Sequence, residues 1–314
     1  MSSSRFAALD LGSLTVRLAV AERAGAGRFL VLRHCREVTG LGQGLVQTGS
    51  LAPEAMDRTL AALRKLLKEA AAWGVQDLVA VATHAVRQAE NREILLNRLR
   101  QELGLTVRVL GAEEEARLSL QGVLTALAPK YLKEPALVVF DVGGGSTEVA
   151  LVHLEGEPFF ASLPLGVLTL SQARPLRDPP DPHRVAALKE ELADRFSGFY
   201  RQFFQPRLQA PPRLVGTAGA VTTLAAMALK MTEYDPERVN NLVLARAQVA
   251  ELADLVAGLP ESERARLPGL EPAKAGVMVA GALIVLTILQ VFRQDSLVVI
   301  DAGLLEGVLK EMSF

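Results

Sequence analysis

The sequence predicts an α/β protein of two domains, built as a duplication. At 314 residues the chain is too long for one ordinary small domain and long enough for two. Its elements run from β-hairpins into alternating helices and strands, and then the order starts again. The same apolar strand ending in Asp-apolar-Gly occurs twice, as Asp10-Leu11-Gly12 and as Asp141-Val142-Gly143.

In the first half, residues 5–12, 15–22 and 28–38 read as strands, with Ala24-Gly25-Ala26-Gly27 as a turn. Gly40, Gly42, Gly44 and Gly49 mark a loop. Pro53 to Trp73 reads as a helix: Pro53 suits its first turn, Gly74 its stop, and Met56, Leu60, Leu63 and Leu67 give it one apolar face. A strand at 78–83, a helix at 91–103, a strand at 105–110 and a helix at about 113–128 follow.

The second half repeats the plan. Ala136 to Asp141 is an apolar strand, Gly143-Gly144-Gly145 a turn, and 146–154 and 158–163 are strands. The proline-rich stretch 174–182 reads as an exposed loop. Helices at about 184–204, 219–230, 246–257 and 272–291 alternate with strands at 213–216 and 296–301, and 303–312 closes as a helix. Aligned without gaps, Thr15 falls over Ser146 and Leu18-Ala19-Val20 over Val149-Ala150-Leu151. The domain boundaries implied are 1–125, with a C-terminal helix at about 302–314 packing back on it, and 126–301.

The formal net charge of -1 gives no global basic excess for nucleic-acid binding. One cysteine, Cys35, allows no internal disulfide, which fits a reducing, cytoplasmic setting. The start, from Met1 to Arg5, has no signal-peptide pattern. The uncharged run 275–292 is about the minimum length of a membrane span. Gly276, Gly281, Thr287 and Gln290 dilute it, so a buried helix and no membrane association are expected.

A strand ending in Asp, then Gly, then a hairpin exposes backbone N–H groups in a concavity that binds phosphate oxygens. Gly12, Gly143, Gly144 and Gly145 permit the close approach, and Ser13, Ser146 and Thr147 add hydroxyls. The carboxylates Asp10 and Asp141 would hold Mg²⁺, which takes the phosphate charge. Two tight hairpins with Asp as turn former are the plainer alternative, against which three consecutive glycines argue. Glu113, Glu114 and Glu115 stand where a strand gives way to a helix. They serve either as a dipole-stabilised helix start or as the source of a general base for water attack. Gly216-Thr217-Ala218-Gly219 is either a further phosphate cradle or a tight strand-to-helix turn. The histidines His34, His84, His153 and His183 are scattered and offer no metal cluster.

These stretches together resemble the exopolyphosphatase / guanosine pentaphosphate phosphohydrolase (Ppx/GppA) family of the actin, sugar kinase and Hsp70 superfamily. The residues that carry the resemblance are 8–13, 82–87 with Asn91, 114–118, 140–148, 162–166, 216–219, 268–270 and 301–304 with Glu306-Gly307, in order along nearly the whole chain. The resemblance implies a duplicated actin-like (RNase H-like) fold with an interdomain cleft. It implies a Mg²⁺-dependent hydrolase, with Mn²⁺ as the alternative metal, that cleaves terminal phosphoanhydride bonds of polyphosphate or guanosine penta/tetraphosphate. Glu114 becomes the general base, Asp141 and Glu148 bind metal and position water, Asp10 and Ser13 belong to the first phosphate loop, and Arg87 binds phosphate. The oligomeric state is left open, a homodimer being one option.

The chain departs from the family pattern in several places. Leu14-Thr15 stands for Asn-Ser, and Gly40, Thr169, Lys274 with Gly276, and Leu305 replace arginine or arginine-aspartate positions. Asn240 replaces a histidine. Fewer basic groups then face a polyanion, which leaves open a non-catalytic sensor on the same fold and, further off, a sugar- or acid-kinase relative.

Overall fold

In the computed structural model, which describes residues 4–25 and 27–313, strand β1 (Arg5–Leu11) is apolar from Phe6 to Leu9 because both its faces are covered. Ala26 of the expected turn, Met1 to Ser3 and Phe314 lie outside the described residues. The chain divides into two compact units, Met1–Thr125 with Ala302–Phe314, and Ala126–Asp301.

In the first unit, β1 pairs antiparallel with β2 (Thr15–Arg23), which pairs with β3 (Phe29–Val38). The chain then forms α1 (Leu45–Thr48), α2 (Pro53–Ala72), β4 (Asp77–Ala82), α3 (His84–Gln88), α4 (Arg92–Leu103), β5 (Val107–Val109) and α5 (Ala112–Ala126). Among the described residues this sheet has five strands in the order β3-β2-β1-β4-β5, with β4 and β5 parallel to β1. Alternation sorts β1 into two cores. Ala7, Leu9 and Leu11 pack with Leu60 and Leu63 of α2, while Phe6 and Ala8 pack with residues from the C-terminal end of the chain.

The second unit repeats this plan. It runs β6 (Ala136–Val142), β7 (Thr147–His153), β8 (Phe159–Leu163), α6 (Val167–Ala173), α7 (Pro182–Phe199), β9 (Arg213–Thr217), α8 (Ala218–Ala228), α9 (Pro236–Val239), β10 (Leu242–Ala245), α10 (Arg246–Gly258), α11 (Glu261–Arg264), α12 (Met278–Val291) and β11 (Ser296–Val299). Its described strands lie in the order β10-β11-β9-β6-β7-β8. The central pattern matches the first sheet, and β10 is an added edge strand. The closing helix, α13 (Leu304–Met312), belongs to the first unit, where Leu304, Leu305, Val308 and Leu309 cover Phe6 and Ala8. Gly122 of α5 and Gly307 of α13 bring these two helices into backbone contact, leaving no room for a β-carbon at either position.

Some expectations needed correction. The helix expected over 184–204 begins at Pro182 and is α-helical to Phe199, after which Tyr200–Phe204 forms a π-helical turn closed by Phe199, Phe204 and Phe292. The helix expected from 272 begins at Met278, after a single 3₁₀ turn at Pro272–Lys274. The uncharged run is therefore a fourteen-residue buried helix, and no helix of the described residues is long and apolar enough to cross a membrane. Strand β10 and the short helices α3, α6, α9 and α11 fall in stretches the periodicity left unassigned, and the stretch expected as a loop between Gly40 and Gly49 contains one helical turn, α1.

Candidate functional site: two glycine turns with different charges

In the second unit the glycine turn joins β6 to β7. Gly143 N–H donates to the Ser146 carbonyl (3.0 Å), which closes the hairpin and uses that amide. The carbonyls of the run are tied to the start of α6: Val167 N–H donates to Gly143 O (3.0 Å), and Leu168 and Thr169 N–H to Gly144 O (2.8 and 3.2 Å). Thr169 Oγ1 donates to Gly145 O (3.1 Å) and accepts from Gly166 N–H (2.8 Å). A trans peptide sets each N–H opposite the carbonyl before it. The N–H groups of Gly144, Gly145 and Ser146 therefore point away from α6, as a run of donors suited to an anion. Gly166 makes the arrangement possible, since a β-carbon there would sit 2.5 Å from the Gly144 carbonyl carbon.

The first unit uses the same device. Gly12 N–H closes its hairpin on the Thr15 carbonyl (3.1 Å). Gly42 N–H donates to Ser13 O (2.8 Å), and Thr39 and Gly40 N–H to Leu14 O (both 2.9 Å). The N–H groups of Leu14 and Thr15 are thereby turned the other way. The loss of a polar residue at 14 thus leaves the backbone of the turn intact.

The side chains across the two hairpins differ. In the second unit Asp141 lies in register with Glu148 on one side and Thr217 on the other, and Glu148 with Ser162. Register partners share a face of the sheet, so Thr217, Asp141, Glu148 and Ser162 form one polar row. Ser162 Oγ donates to Glu148 Oε1 (3.0 Å), and Glu148 is buried. In the first unit Asp10 lies opposite Arg17, whose Nε and Nη2 both donate to Asp10 Oδ2 (3.0 and 2.7 Å). Asp10 Oδ1 and Ser13 Oγ are buried with no hydrogen-bond partner. Burial pushes the Asp10 carboxyl above its usual range, and Arg17 opposes the shift.

Among the described residues no group of three His, Cys, Asp or Glu side chains stands ready to hold a metal by itself. The Asp141–Glu148 pair fits Mg²⁺, which is commonly held by one or two carboxylates and completes its shell with water and substrate phosphate. Asp10 offers a cation one oxygen at most, Oδ1, because Arg17 occupies the other.

The structure separates the three adjacent glutamates. Glu115 is buried and accepts from Arg87 Nη1 (2.7 Å), which also donates to the Leu110 carbonyl (2.8 Å). Glu113 is exposed. Glu114 lies between these extremes, with Arg108 Nη1 at 3.6 Å, too far for a hydrogen bond. Burial, with the nearby Arg87 charge adding to it, holds the His84 imidazole down at a pKa of about 4, so it is neutral near pH 7.

Other expected residues have structural duties. Thr147 is fully buried and donates to the Leu165 carbonyl (2.7 Å), so it braces the loop ahead of α6. Gly216 is required by packing, since a β-carbon there would meet the Phe140 ring at 2.7 Å. Thr217 precedes α8, and Ala218 takes φ 69°, a left-handed conformation that costs a non-glycine residue energy. Gly219 faces the buried Lys274, whose Nζ lies 3.7 Å from where a β-carbon would be and 3.1 Å from Glu271. Ser146 is buried in the second turn. Sequence reasoning passed over Arg17, Ser162 and the restraint of Arg87 by Glu115. The residue types were visible, but the register that joins them was not.

Several departures from the family pattern are absorbed structurally. Thr169 ties the glycine loop, Asn240 accepts from Asp301 N–H (2.8 Å), Gly40 takes φ 61°, and Leu305 is core.

Two glycine turns with outward amides, one beside a carboxylate pair, define a phosphoryl-binding protein of the duplicated α/β class. The model of the Ppx/GppA phosphatase family matches residues 20–313, and the chain belongs to this family. It is 30% identical over 320 residues to exopolyphosphatase 2 of Mycobacterium tuberculosis, covering 98% of each chain. A solved Ppx/GppA family member from Aquifex aeolicus is 33% identical with a TM-score of 0.78, over 98% of this chain and 97% of that one. An exopolyphosphatase from Cytophaga hutchinsonii, 23% identical, shares the fold with a TM-score of 0.87 over 99% and 98%. The family and the actin-like fold expected from the motifs are both borne out.

Proposed function

We propose that this protein is a phosphoanhydride hydrolase that releases terminal phosphate from inorganic polyphosphate, guanosine pentaphosphate or both. The observation that carries this reading is the second turn, where outward N–H groups at Gly144, Gly145 and Ser146 adjoin the in-register carboxylates Asp141 and Glu148. Asp141 and Glu148 would hold Mg²⁺ or Mn²⁺, which when bound offsets the charge of the phosphoryl oxygens. Within each unit the turn's outward amides suit phosphoryl oxygens, and in the first unit the free edge of Arg87 does so as well.

Glu114 is the base in this reading. Glu115 is committed to Arg87, whereas Glu114 has only a long ion pair with Arg108, at 3.6 Å. It takes a proton from water as the water oxygen bonds to the terminal phosphorus. The bond from that phosphorus to its bridging oxygen breaks, and the shortened chain leaves with the bridging oxygen. A positioned base contributes about 10²–10⁴-fold.

The test is phosphate release from short and long polyphosphate and from guanosine pentaphosphate, with and without Mg²⁺. The wild type should turn over in a metal-dependent way, and Glu114→Gln should lose about 10²–10⁴ in kcat. Unchanged turnover in Glu114→Gln would remove Glu114 from the role. Tight binding of these anions with no release under either metal would favour a sensor, the reading that the replaced basic residues support.

A further inference from the structure

A groove of about 310 Å³ opens on the first unit, lined by Arg87, Arg92, Glu93, Leu96, Val109, Leu110 and Gly111. It runs between the start of α4 and the end of β5, and Gly111 sets its end directly before the first turn of α5. The groove has a rigid cation and a loose one. Arg87 is clamped through Nη1 by Glu115 (2.7 Å) and the Leu110 carbonyl (2.8 Å), which leaves the rest of its guanidinium to line the groove. Arg92 is exposed and only weakly held, with Nη1 3.5 Å from the Arg87 carbonyl and Nε 3.5 Å from Glu93. The N-terminus of α4 adds partial positive charge on the same side. No atom lies within 4 Å of the space a side chain at Gly111 would take, so the floor is open.

We propose that this groove is a second phosphoryl subsite. In it Arg92 leaves Glu93 and grips, together with Arg87, phosphate groups of the substrate away from the bond that is cleaved. The proposal rests on the hydrolase reading above for its substrate class. A volume near the lower limit for ligand pockets suits a short stretch of condensed phosphate. A fixed guanidinium beside a loosely held one suits an anion whose spacing varies along a chain: Arg87 sets the register and Arg92 adapts. Glu93 is the counter-charge at the rim, which an arriving anion displaces from Arg92. Arg92 thereby becomes a specificity-determining residue, favouring substrates long enough to reach it.

The experiment is calorimetric titration of the full chain with tripolyphosphate, without added metal so that binding is read apart from turnover. Wild type is compared with Arg92→Ala, Arg92→Lys, Arg92→Glu and Arg100→Ala. Arg100 lies on the same helix, away from the groove, so its variant controls for net charge. Arg92→Ala should weaken binding about tenfold, the low end for a charge-assisted contact, and Arg92→Glu further. Arg92→Lys should restore part of the loss, and Arg100→Ala should track the wild type. Repeating the titration with guanosine pentaphosphate shows whether a nucleotide's phosphates use the same groove. Equal affinities in wild type, Arg92→Ala and Arg100→Ala for both anions would overturn the subsite while leaving the hydrolase reading untouched. Binding that depends on Arg92 in a protein that releases no phosphate would do the reverse.

Discussion

Replacing Gly166 by alanine tests the mechanism that turns the second glycine loop outward. Gly166 has φ -126° and ψ 177°, an extended conformation open to any residue, so the substitution carries no backbone penalty. Its effect is purely steric. The new methyl group would stand 2.5 Å from the Gly144 carbonyl carbon and 2.6 Å from the Gly143 and Gly144 oxygens. Relieving that overlap requires α6 and the loop to part by roughly 1 Å, given carbon contact distances of about 3.5 Å. The bonds at 3.0, 2.8 and 3.2 Å from Val167, Leu168 and Thr169 to the loop carbonyls then lengthen past hydrogen-bonding range. Losing two or three of them costs about 2–4 kcal/mol. In a unit of this size that lowers Tm by about 5–12 °C in scanning calorimetry. Once the carbonyls are released, the amides of Gly144, Gly145 and Ser146 lose their shared direction, so KM for the phosphorylated substrate should rise as well. A Gly166→Ala protein that melts with the wild type and keeps its KM would refute the claim that α6 aims the loop.

Removing Arg17 leaves the Asp10 carboxylate buried without its counter-charge, and Arg17→Leu should cost about 2–4 kcal/mol in denaturant unfolding. The double variant Arg17→Leu with Asp10→Asn should recover part of that loss, because the residue left behind is neutral. His84 gives a pH dependence: its pKa of about 4 in the fold, against 6.5 when unfolded, means the unfolded chain binds the extra proton between those values. The contribution of neutral His84 is therefore complete above pH 6.5 and is lost as pH falls toward 4, by at most about 3 kcal/mol. His84→Asn should flatten that part of the stability profile measured by chemical denaturation.

The two hairpins were legible because turn chemistry is local. Asp-apolar-Gly and the run Gly143-Gly144-Gly145 announce their geometry within a few residues. The helices with long apolar stripes, such as α2, were legible because their spacing is local too. The partners of the site residues were not, because they depend on register across strands. Nothing around Arg17 says that it will face Asp10, since their pairing is set by the sheet as a whole. Helix α6 was hidden by its seven residues and by an N-cap, Gly166, that has no side chain. Its hydroxyl comes instead from Thr169, three residues on, and that bond exists only once the glycine loop has docked. Glu114 and Glu115 are chemically identical neighbours, and only the position of Arg87 separates them.

The register also explains why a duplicated hairpin can serve two purposes. Asp10 and Asp141 occupy the same place in their hairpins, and so do Arg17 and Glu148. The backbone device is held constant: in both units a later segment ties down the turn's carbonyls and frees the amides behind them. An anion would meet similar donors on either turn. What differs is the residue across the strand. An arginine beside the aspartate spends that carboxylate on an ion pair and leaves net charge near zero, so the first hairpin suits phosphate without competing for a cation. A glutamate beside the aspartate does the opposite. Like charges in register destabilise a sheet, and a divalent cation would relieve that cost, which supports the second hairpin as the proposed metal site. One substitution in each copy of an ancestral hairpin would suffice to give the two turns these different charges. On that reasoning Arg17→Glu would not create a second metal site of equal quality. Arg36, Arg17's neighbour in register on β3, would stay beside it, where the second hairpin has the hydroxyl of Ser162.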